Sequence, residues 1–490
     1  LESEKANLGQ VIEEKRIRDL PLNGRNFMQL AHISAGVIPI GIGSSPVTSW
    51  TGRADQSASI SGGRENSNSF LIDGIESRNK RFGSTGIRPS VDAIQEFKVH
   101  RNTFSAEYGN AAAIINSTIK SGGNDLHGSV FYFHRNDNLD ARNFFDIGRA
   151  PAPTPLPEFK QNNFGTAVSG PILKQKLFYF GNYEGFRQRR AREARSLYPD
   201  PAFLQGDFSA LPVAVMDPLT NRPFPNNRIP RERFSRVAQN LFEFIPQPNV
   251  PFNRVQNFNR LDTLSNKNDW DQFHIRIDEV LSAKDSLFYR YSISDEEIFL
   301  PQVAKLRGEK FPQKDQNSVI SETHTFSASL INELRFGWNR SSSFRVSEGS
   351  FGENIAARVG IQRATQNPFS YGIPNISLQQ FSGIGSIPQS IGAIDQVFQL
   401  TDHLTWTRGQ HSFKLGADGR RTHYFQDTNF AGNPSFTFSG VFSCGPDGPR
   451  TIGCAAADFV LGLPVSVSAS VGDSRQYLTT ASTGTNSSSM

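Results

Sequence analysis

The sequence is poor in the residues on which most enzyme and metal sites depend. Its 490 residues include 2 cysteines, 3 methionines and 9 histidines. The histidines are scattered, with no HExxH motif and no Cys/His cluster at zinc-ligand spacing. GIGSSP at 41–46 lacks the third glycine of a dinucleotide loop, and Ser169 does not stand in a GxSxG motif. We therefore predict no enzymatic activity, no metal site and no cofactor.

Long hydrophobic runs are also missing. No window holds 18 consecutive apolar residues, which excludes a transmembrane helix in this sequence. A transmembrane β-barrel remains possible, because its strands alternate apolar and polar residues and keep the mean hydropathy low. The net charge is 51 − 46 = +5, which is too small at this length to indicate nucleic-acid binding. The first residue is Leu, with no signal peptide before it, so we expect a fragment without its natural start.

Alternation with period two dominates the sequence after Leu126. DQFHIRIDEVL places Phe273, Ile275 and Ile277 on one face and His274, Arg276 and Asp278 on the other. Similar patterns occur in GSVFYFHRN, LFYFGNYEGFRQR, DSLFYRYSIS, NELRFGWNRS and HSFKLGADGR. One face of each strand is rich in apolar and aromatic residues and the other carries charges. In a soluble sandwich the apolar face would meet a second sheet, whereas in an outer-membrane barrel it would meet lipid.

Strand length and connection length favour the barrel. The strands are about 10 residues or longer, which suffices to cross a membrane at barrel tilt. Tight connections at LSAKDS, SASLINE and TRGQHS alternate with long Pro/Asn/Gly-rich inserts at 201–266 and 346–394. Short turns at one end and long loops at the other are typical of outer-membrane barrels. We expect the first insert to contain a small helix in RERFSRVAQNLFEFI.

The N-terminal region has a different pattern and predicts a small mixed α/β unit. GQVIEEKRIRDL and RNFMQLAHI have near-helical spacing, while EFKVHR and AAAIINSTIK read as strands. Phe70, Leu71 and Ile72 lie among polar residues in ISGGRENSNSFLIDGIESRN and are apolar enough to predict a short buried strand.

Several stretches resemble TonB-dependent outer-membrane receptors, most of all the Oar-like group of the Acidobacteria type. The stretches are LPLNGRNF (20–27), ISGGRENSNSFLIDGI (60–75), the segment 91–133, NNFGTAVSGPILKQKLFYFGNYEGFR (162–187), GDFS (206–209) and ADFVLGLP (457–464). The resemblance implies an α+β plug domain followed by an antiparallel transmembrane β-barrel of 22 strands. The sequence shows about half of them, so we expect an incomplete barrel that could not form a working pore by itself.

The expected domains are a plug at 1–125, the N-terminal half of the barrel with long extracellular loops at 126–475, and an atypical tail at 476–490. The resemblance implies a site in the cell outer membrane of a Gram-negative bacterium and contact with outer-membrane lipid. It also implies uptake of a large scarce solute, energised by TonB with ExbB and ExbD through a missing N-terminal segment. Alternatives are an Oar-like role in protein export or surface development, and a soluble secreted β-rich adhesin or carbohydrate-binding protein.

The candidate site residues belong to the plug motifs and to one cysteine pair. Gly62, Gly63, Asp73 and Gly74 are suited to tight turns. Asp73 could also pair with a cation of the barrel wall. The full set of expected structural and gating positions is Gly62, Gly63, Arg64, Asp73, Gly74, Tyr108 and Gly109. Cys444 and Cys454 flank a Gly/Pro loop and could form a disulfide in an oxidising compartment, with two unrelated thiols as the alternative.

The densest basic run, RQRRAREAR at 187–195, allows two interpretations. It could attract an anionic substrate or lipopolysaccharide phosphate. Alternatively, it is the solvated extension of a strand above the membrane.

Overall fold

The structure is a computed structural model with three parts: an N-terminal unit, a large antiparallel sheet, and inserts that gather at one end of the sheet. The described residues are 9–13, 17, 20, 22–32, 36–39, 58–64, 67–80, 84–101, 111–141, 156–253, 255–362, 364–429, 431–470 and 475–489.

The N-terminal unit is built on a five-stranded sheet of order β1-β8-β9-β4-β5, in which only the β4–β9 pair is parallel. Phe70 packs in its apolar core, where the rings of Phe27 and Phe97 meet edge to face at 5.0 Å. Leu71 and Ile72 are also buried, as predicted. The elements are β1 (Gly9–Glu13), α1 (Met28–His32), β2 (Val37–Pro39), β3 (Ala58–Ile60), β4 (Asn68–Ile72), β5 (Ile75–Glu76), β6 (Arg78–Asn79), β7 (Ser84–Thr85), β8 (Ile94–Arg101) and β9 (Ala113–Ile119).

The predicted helix at the start of the chain is wrong for residues 9–13. This segment is strand β1, and it pairs antiparallel with β8 so that Ile12 lies opposite Phe97. Val11 and Ile12 are β-branched and fit a strand at least as well as a helix. The hydrogen-bonding edge of β8 decides between the two, which spacing along the sequence does not show. The second predicted helix is confirmed as α1.

The large sheet has ten strands in the order β10-β11-β12-β15-β16-β17-β18-β20-β21-β24, and every neighbouring pair is antiparallel. From here to the end of the chain, the strands are β10 (His127–Asn136), β11 (Phe159–Leu173), β12 (Leu177–Ser196), β13 (Met216–Asp217), β14 (Arg222–Pro223), β15 (Arg260–Val280), β16 (Asp285–Leu300), β17 (Glu309–Ser327), β18 (Leu330–Ser347), β19 (Asn375–Leu378), β20 (Ser390–Arg408), β21 (His411–Asn429), β22 (Ser435–Phe438), β23 (Ser466–Ser468) and β24 (Arg475–Ser489).

The two faces of the large sheet differ in the way the alternation predicts. On β15, Phe273 and Ile275 are 47% and 51% exposed, whereas His274 between them is fully buried. On β16, Tyr289 is exposed and Arg290 is buried. The apolar face therefore points away from the rest of the protein, and the polar face is covered by the N-terminal unit. Other exposed apolar side chains of the sheet are Val130, Tyr132, Ile320, Leu334, Phe336, Leu400, Leu415 and Tyr477.

Connections at the two ends of the sheet differ strongly in length. Tight turns lie at 174–176, 281–284, 328–329 and 409–410, between consecutive strands of the sheet. At the opposite end the chain leaves the sheet for residues 197–259, 301–308, 348–389 and 430–474. The described residues of these inserts pack together, and we call them the loop cap.

Short helices and small sheets around shared apolar cores form the loop cap. Two buried clusters combine residues of three inserts, such as Leu241, Ile376 and Phe459 in one of them. Strands β19 and β22 pair in parallel and β22 pairs antiparallel with β23. The α-helices are α2 (Pro201–Leu204), α3 (Arg236–Leu241), α4 (Ile355–Arg358), α5 (Val441–Cys444) and α6 (Cys454–Leu461), so the helix predicted in the first insert is confirmed. The 3₁₀ helices of the chain are Asn23–Arg25, Asp137–Leu139, Pro225–Asn227, Arg231–Arg233, Phe242–Phe244, Pro368–Ser370 and Gly445–Arg450.

Cys444 and Cys454 form a disulfide in the loop cap, at the C-terminus of α5 and the N-terminus of α6. Beside them, the buried Asp458 accepts hydrogen bonds from the backbone N–H groups of Gly440 and Ser443, both at 2.9 Å. Burial raises the pKa of Asp458 above its ordinary value. These bonds tie α6 to the segment that precedes it.

Residues 476–489 of the segment expected to be an atypical tail (476–490) form a strand of the large sheet. Arg475–Ser489 is strand β24, and its backbone pairs with β21 from Arg475 opposite Asp427 to Ser489 opposite Phe413. Threonine and serine dominate this strand. Strand pairing depends on backbone hydrogen bonds, so a segment with few apolar side chains can still extend a sheet.

Among the described residues, no helix is long and apolar enough to cross a membrane.

One ion pair of the loop cap gives a prediction about acid stability. Arg233 donates to both carboxylate oxygens of Asp217, at 2.6 and 2.8 Å. This hydrogen bonding lowers the pKa of Asp217 from 3.8 to about 2. A lowered folded-state pKa stabilises the fold above the unfolded-state value and loses that contribution as pH falls. We expect residues 201–234 to lose protection from hydrogen exchange between about pH 4 and pH 2, after correction for intrinsic rates.

Asp217→Asn removes the charge at every pH. The variant should exchange faster than the wild type at pH 7 and show a smaller additional change between pH 4 and pH 2. Glu232→Gln is the matched control, because Glu232 is an exposed carboxylate of the same insert. A pH profile of Asp217→Asn that matches the wild type would contradict this assignment.

Candidate functional site

The hairpin formed by β4 and β5 presents two acidic side chains to the inner face of the large sheet. Its turn is Asp73-Gly74, with φ of 49° and 79°, so both residues adopt the left-handed backbone conformation found in a type I′ turn. Asp and Gly tolerate this conformation better than other residues. The side chains of Asp73 and Glu76 are only 3% and 5% exposed. We call residues 72–76 the acidic turn.

Asp73 is shared between its own unit and the sheet. Its Oδ1 accepts a hydrogen bond from the backbone N–H of Ile119 at 3.0 Å. Its Oδ2 accepts from Nε of Arg290 on β16, also at 3.0 Å. A second cation of the sheet, Arg276, places Nη1 3.5 Å from Oδ1. The carboxylate therefore has two cations of the sheet beside it.

Arg290 is fully buried and satisfies most of its donors across the same boundary. Nη2 donates to the carbonyl of Ile72 at 3.1 Å, and Nη1 donates to the carbonyl of Asn317 at 3.0 Å and to Ser292 Oγ at 3.3 Å. A buried guanidinium needs both a counter-ion and hydrogen-bond acceptors to offset its desolvation. The N-terminal unit supplies the counter-ion and one acceptor, so the two parts depend on each other electrostatically.

Glu76 repeats this arrangement on three other strands. Its Oε2 accepts from Nη1 of Arg420 on β21 at 3.0 Å. Its backbone N–H donates to Gln399 Oε1 on β20 at 3.1 Å, and its carbonyl accepts from Asn317 Nδ2 on β17 at 2.8 Å. Strands β16, β17, β20 and β21 thus converge on a five-residue turn. A flat sheet would spread these strands over about 19 Å, so the sheet curves around the turn.

Two glycines allow the backbones to approach closely at the acidic turn. A Cβ on Gly337 of β18 would lie 2.4 Å from the side chain of Ile75. A Cβ on Gly74 would lie 2.3 Å from Nη1 of Arg335. Neither position has room for a side chain without displacement of a neighbour.

Further polar contacts hold the rest of the unit to the sheet. Asn79 donates to Ser343 Oγ at 3.2 Å, and Lys80 donates to Thr422 Oγ1 at 2.9 Å. At the other side of the unit, the Arg25 guanidinium stacks 4.1 Å over the ring of Phe131. A small apolar cluster also crosses the boundary, with Ile72, Ile87, Ala93 and Ile119 from the unit and Ala167 and Phe180 from the sheet. The interface is therefore mainly polar.

The structure places the sequence candidates in different locations. Asp73 and Gly74 lie at the interface with the sheet. Gly62 and Gly63 form the turn after β3, where Gly62 has φ of 77° and Arg64 is exposed. Tyr108 and Gly109 lie outside the described residues. The cysteine pair lies in the loop cap and not at this interface.

Sequence reasoning missed Glu76 and the four sheet residues that bind the acidic turn, Arg290, Arg420, Asn317 and Gln399. The alternation placed Arg290 on the polar face of its strand, but no local pattern indicates a partner 217 positions away. The available signal was a charged residue between two tyrosines, on the strand face that it shares with Ser292 and Ser294.

The basic run at 187–195 lies on β12, and several of its cations are paired within the sheet. Arg187 and Arg189 point outward and bind Asp271 and Asp269 of β15 at 2.8 and 2.5 Å. Both ion pairs are partly exposed, which fits the extended-strand interpretation.

One cluster of the described residues has side chains that could hold a metal ion. The carboxylates of Asp285 and Glu322 and the imidazole of His324 lie within 4.8 Å of one another. They stand at the short-turn end of β16 and β17, away from the acidic turn. His324 Nδ1 already lies 2.5 Å from Asp285 Oδ1, so a direct hydrogen bond accounts for their proximity.

The buried ion pair predicts a large effect of Arg290→Met. The change leaves the Asp73 carboxylate with less compensation in a buried position, and removal of one partner of such a pair costs about 3–5 kcal/mol. We expect faster hydrogen exchange at Ile119, whose N–H is bonded to Asp73, and throughout residues 68–76. Arg345→Met is the control, since Arg345 pairs with Glu309 within the sheet. Equal exchange at Ile119 in both variants would refute the role of Arg290.

Close approach at β18 gives a second prediction. Gly337→Ala should push Ile75 away and weaken the seating of the N-terminal unit, because the added methyl group has no space. Gly419→Ala on β21 is the matched control, where the nearest atom is 4.0 Å from the added Cβ. The measurement is limited proteolysis of the N-terminal unit in membranes. Faster cleavage in the Gly419 variant than in the Gly337 variant would contradict the expected order.

Comparison with known proteins places this geometry in a family. The family described as "Outer membrane beta barrel domain" matches residues 118–485 of the 490-residue chain. The chain is 27% identical over 127 residues to the TonB-dependent transporter Oar of Myxococcus xanthus, a match that covers 26% of this chain and 12% of that protein.

Among solved structures, the outer membrane transporter YddB from Escherichia coli is similar, with a TM-score of 0.55 and 12% sequence identity. The match covers 88% of this chain and 50% of YddB, so the chain spans about half the length of that relative. At this low sequence identity, the similarity concerns only the fold: the large sheet resembles the barrel of that transporter. The outward apolar face, the inward polar face and the family match agree: the chain belongs to the outer membrane β-barrel family and resides in the cell outer membrane.

Proposed function

We propose that this chain is the plug and the first part of the barrel of a TonB-dependent receptor of the Oar-like, Acidobacteria-type group. In this proposal the N-terminal unit is a plug that closes a wide pore. The receptor takes up a large scarce solute, and the plug moves when TonB, energised with ExbB and ExbD, pulls on a segment N-terminal to the unit.

The observation that carries the proposal is the polar interface between the acidic turn and the sheet. Hydrogen bonds broken at such an interface can be replaced by bonds to water when the pore hydrates, so each contributes only about 0.5–1.5 kcal/mol net. An apolar interface of the same size would lose buried area that water cannot replace. A unit held mainly by polar contacts is thus firmly seated and still removable.

The buried groups of the two ion pairs add a barrier to this motion. Both partners of Arg290–Asp73 are buried, so salt screens this pair weakly while the unit is seated, whereas in the second pair Glu76 is buried and Arg420 is 28% exposed. A partial displacement would leave a buried charge without its partner, which is costlier than either end state. With such an interface, thermal motion rarely displaces the N-terminal unit, whereas a pulling force applied to the unit can displace it.

Localisation in the outer membrane argues against a soluble adhesin. Protein export remains the second candidate, because the same plug and barrel could pass cargo outward. The two directions are distinguished by what changes outside the cell when the gene is deleted.

The test compares spent medium of the parent strain, a deletion of the gene and a deletion of tonB. We expect one solute to be consumed by the parent and retained in the medium of both deletions. Loss of a secreted protein with unchanged solute consumption would favour export and contradict uptake.

A disulfide cross-link between the plug and the sheet tests whether the plug must move for uptake. Asn79 and Ser343 are in side-chain contact, so Asn79→Cys with Ser343→Cys should cross-link the plug to β18. We expect solute consumption to stop in oxidising medium and to return with a membrane-impermeant reductant. Each single cysteine variant is the control. Normal consumption by the fully cross-linked protein would rule out movement of the plug at this contact.

A further inference from the structure

The loop cap contains a cavity of about 540 Å³ that the plug interface does not use. Its walls come from three separate inserts: α3 in the insert after β12, residues 360–362, Thr365 and β19 in the insert after β18, and β22 with residues on both sides of it in the insert after β21. The lining residues that decide the chemistry of the cavity are Gln362, Thr365, Phe436, Phe438, Phe459 and Ser470.

Among the residues that the structure describes, the lining is mainly apolar and includes no charged side chain. Three phenylalanines, Phe436, Phe438 and Phe459, provide aromatic surface. Gln362, Thr365 and Ser470 provide amide and hydroxyl groups that can both donate and accept hydrogen bonds. A charged ligand would lose hydration here without gaining a counter-ion. An uncharged ligand would bury apolar surface and could still place one polar atom against the amide or hydroxyl groups.

The surrounding backbone holds the cavity open. Ser235 N–H donates to the carbonyl of Val460, Val465 N–H to that of Thr437, and Ser470 N–H to that of Ala431, each at 2.8 Å. The Cys444–Cys454 disulfide and the hydrogen bonds to Asp458 fix the wall that carries Phe459. Collapse of the cavity would break these bonds. Its volume lies within the range of about 300–1,000 Å³ that is usual for small-molecule sites.

We infer that this cavity is a binding site for an uncharged, mainly apolar ligand or ligand part, such as an aliphatic chain or a small aromatic ring system. The binding itself does not require transport. Its use as a capture site for the solute that is taken up rests on the proposed function.

The probe for the test is N-phenyl-1-naphthylamine, an uncharged aromatic dye that fluoresces in apolar surroundings. The full-length protein in lipid nanodiscs should show a saturable signal above the linear signal of empty nanodiscs. An uncharged competitor, 1-dodecanol, should displace the dye, whereas dodecanoate at neutral pH should compete at least about tenfold less well.

Two neighbouring valines supply a matched pair of variants. Val467 lines the cavity and is 56% exposed, while Val465 is 47% exposed and is not among the lining residues. Both positions are open enough for a polar side chain to be accommodated. Val467→Asp should weaken dye binding about tenfold or more, since it introduces a charge into the lining. Val465→Asp should leave binding within about twofold of the wild type.

A third variant, Ala469→Trp, places a large side chain at a lining residue of the cavity and should abolish the saturable signal. Ala469 is exposed, so the larger side chain does not disturb a core.

The inference is overturned by no saturable binding in the wild type, by equal losses in the two aspartate variants, or by equal competition from dodecanoate. Saturable binding without solute uptake would support this site and contradict the proposed function. Solute uptake without saturable binding would support the proposed function and contradict this site.

Discussion

A strand that separates lipid from water must have two faces of opposite chemistry, and this constraint shapes the whole chain. Backbone groups within the hydrocarbon layer find no water, so they must pair with neighbouring strands. Alternate side chains then point to lipid and to the interior, which explains why Ile275 is exposed and His274 is buried one residue away. The low mean hydropathy and the absence of long apolar runs follow from the same alternation.

The polar interior has a consequence for any protein that fills it. A unit seated there cannot rely on a continuous apolar core shared with the sheet. The N-terminal unit keeps its own core around Phe70 and meets the sheet through charges, amides and a small apolar cluster. Internal stability and attachment are therefore separate properties, and the unit can remain folded when its attachment to the sheet is altered.

Period-two patterns predicted the strands of the large sheet well, because the alternation reflects a local choice between two environments. The strand at residues 9–13 was predicted as a helix, since Val11, Ile12, Ile17 and Leu20 have near-helical spacing, although the β-branched Val11 and Ile12 also suit a strand. The strand at 475–489 was missed because its serines and threonines carry little apolar signal. Asp73 was recognised as a turn residue, and its cation on the sheet was only one of two interpretations. Long-range partners such as Arg290 and Arg420 are fixed by the curvature of the sheet, which no local pattern encodes.

The loop cap differs from a set of independent loops, and this difference affects how a ligand would act on it. Residues of three inserts share two apolar clusters, and a disulfide and a buried carboxylate brace the insert that follows β21. Displacing one insert would expose the core of the others, so the described part of the cap behaves as one body. A ligand held between the inserts would stabilise that body as a whole. Its effect would reach strands from which the inserts emerge, among them β12, β18, β20 and β21, and each of these four strands contacts the N-terminal unit. The strands that carry the inserts at one end also contact the acidic turn, so they connect the loop cap physically to that turn.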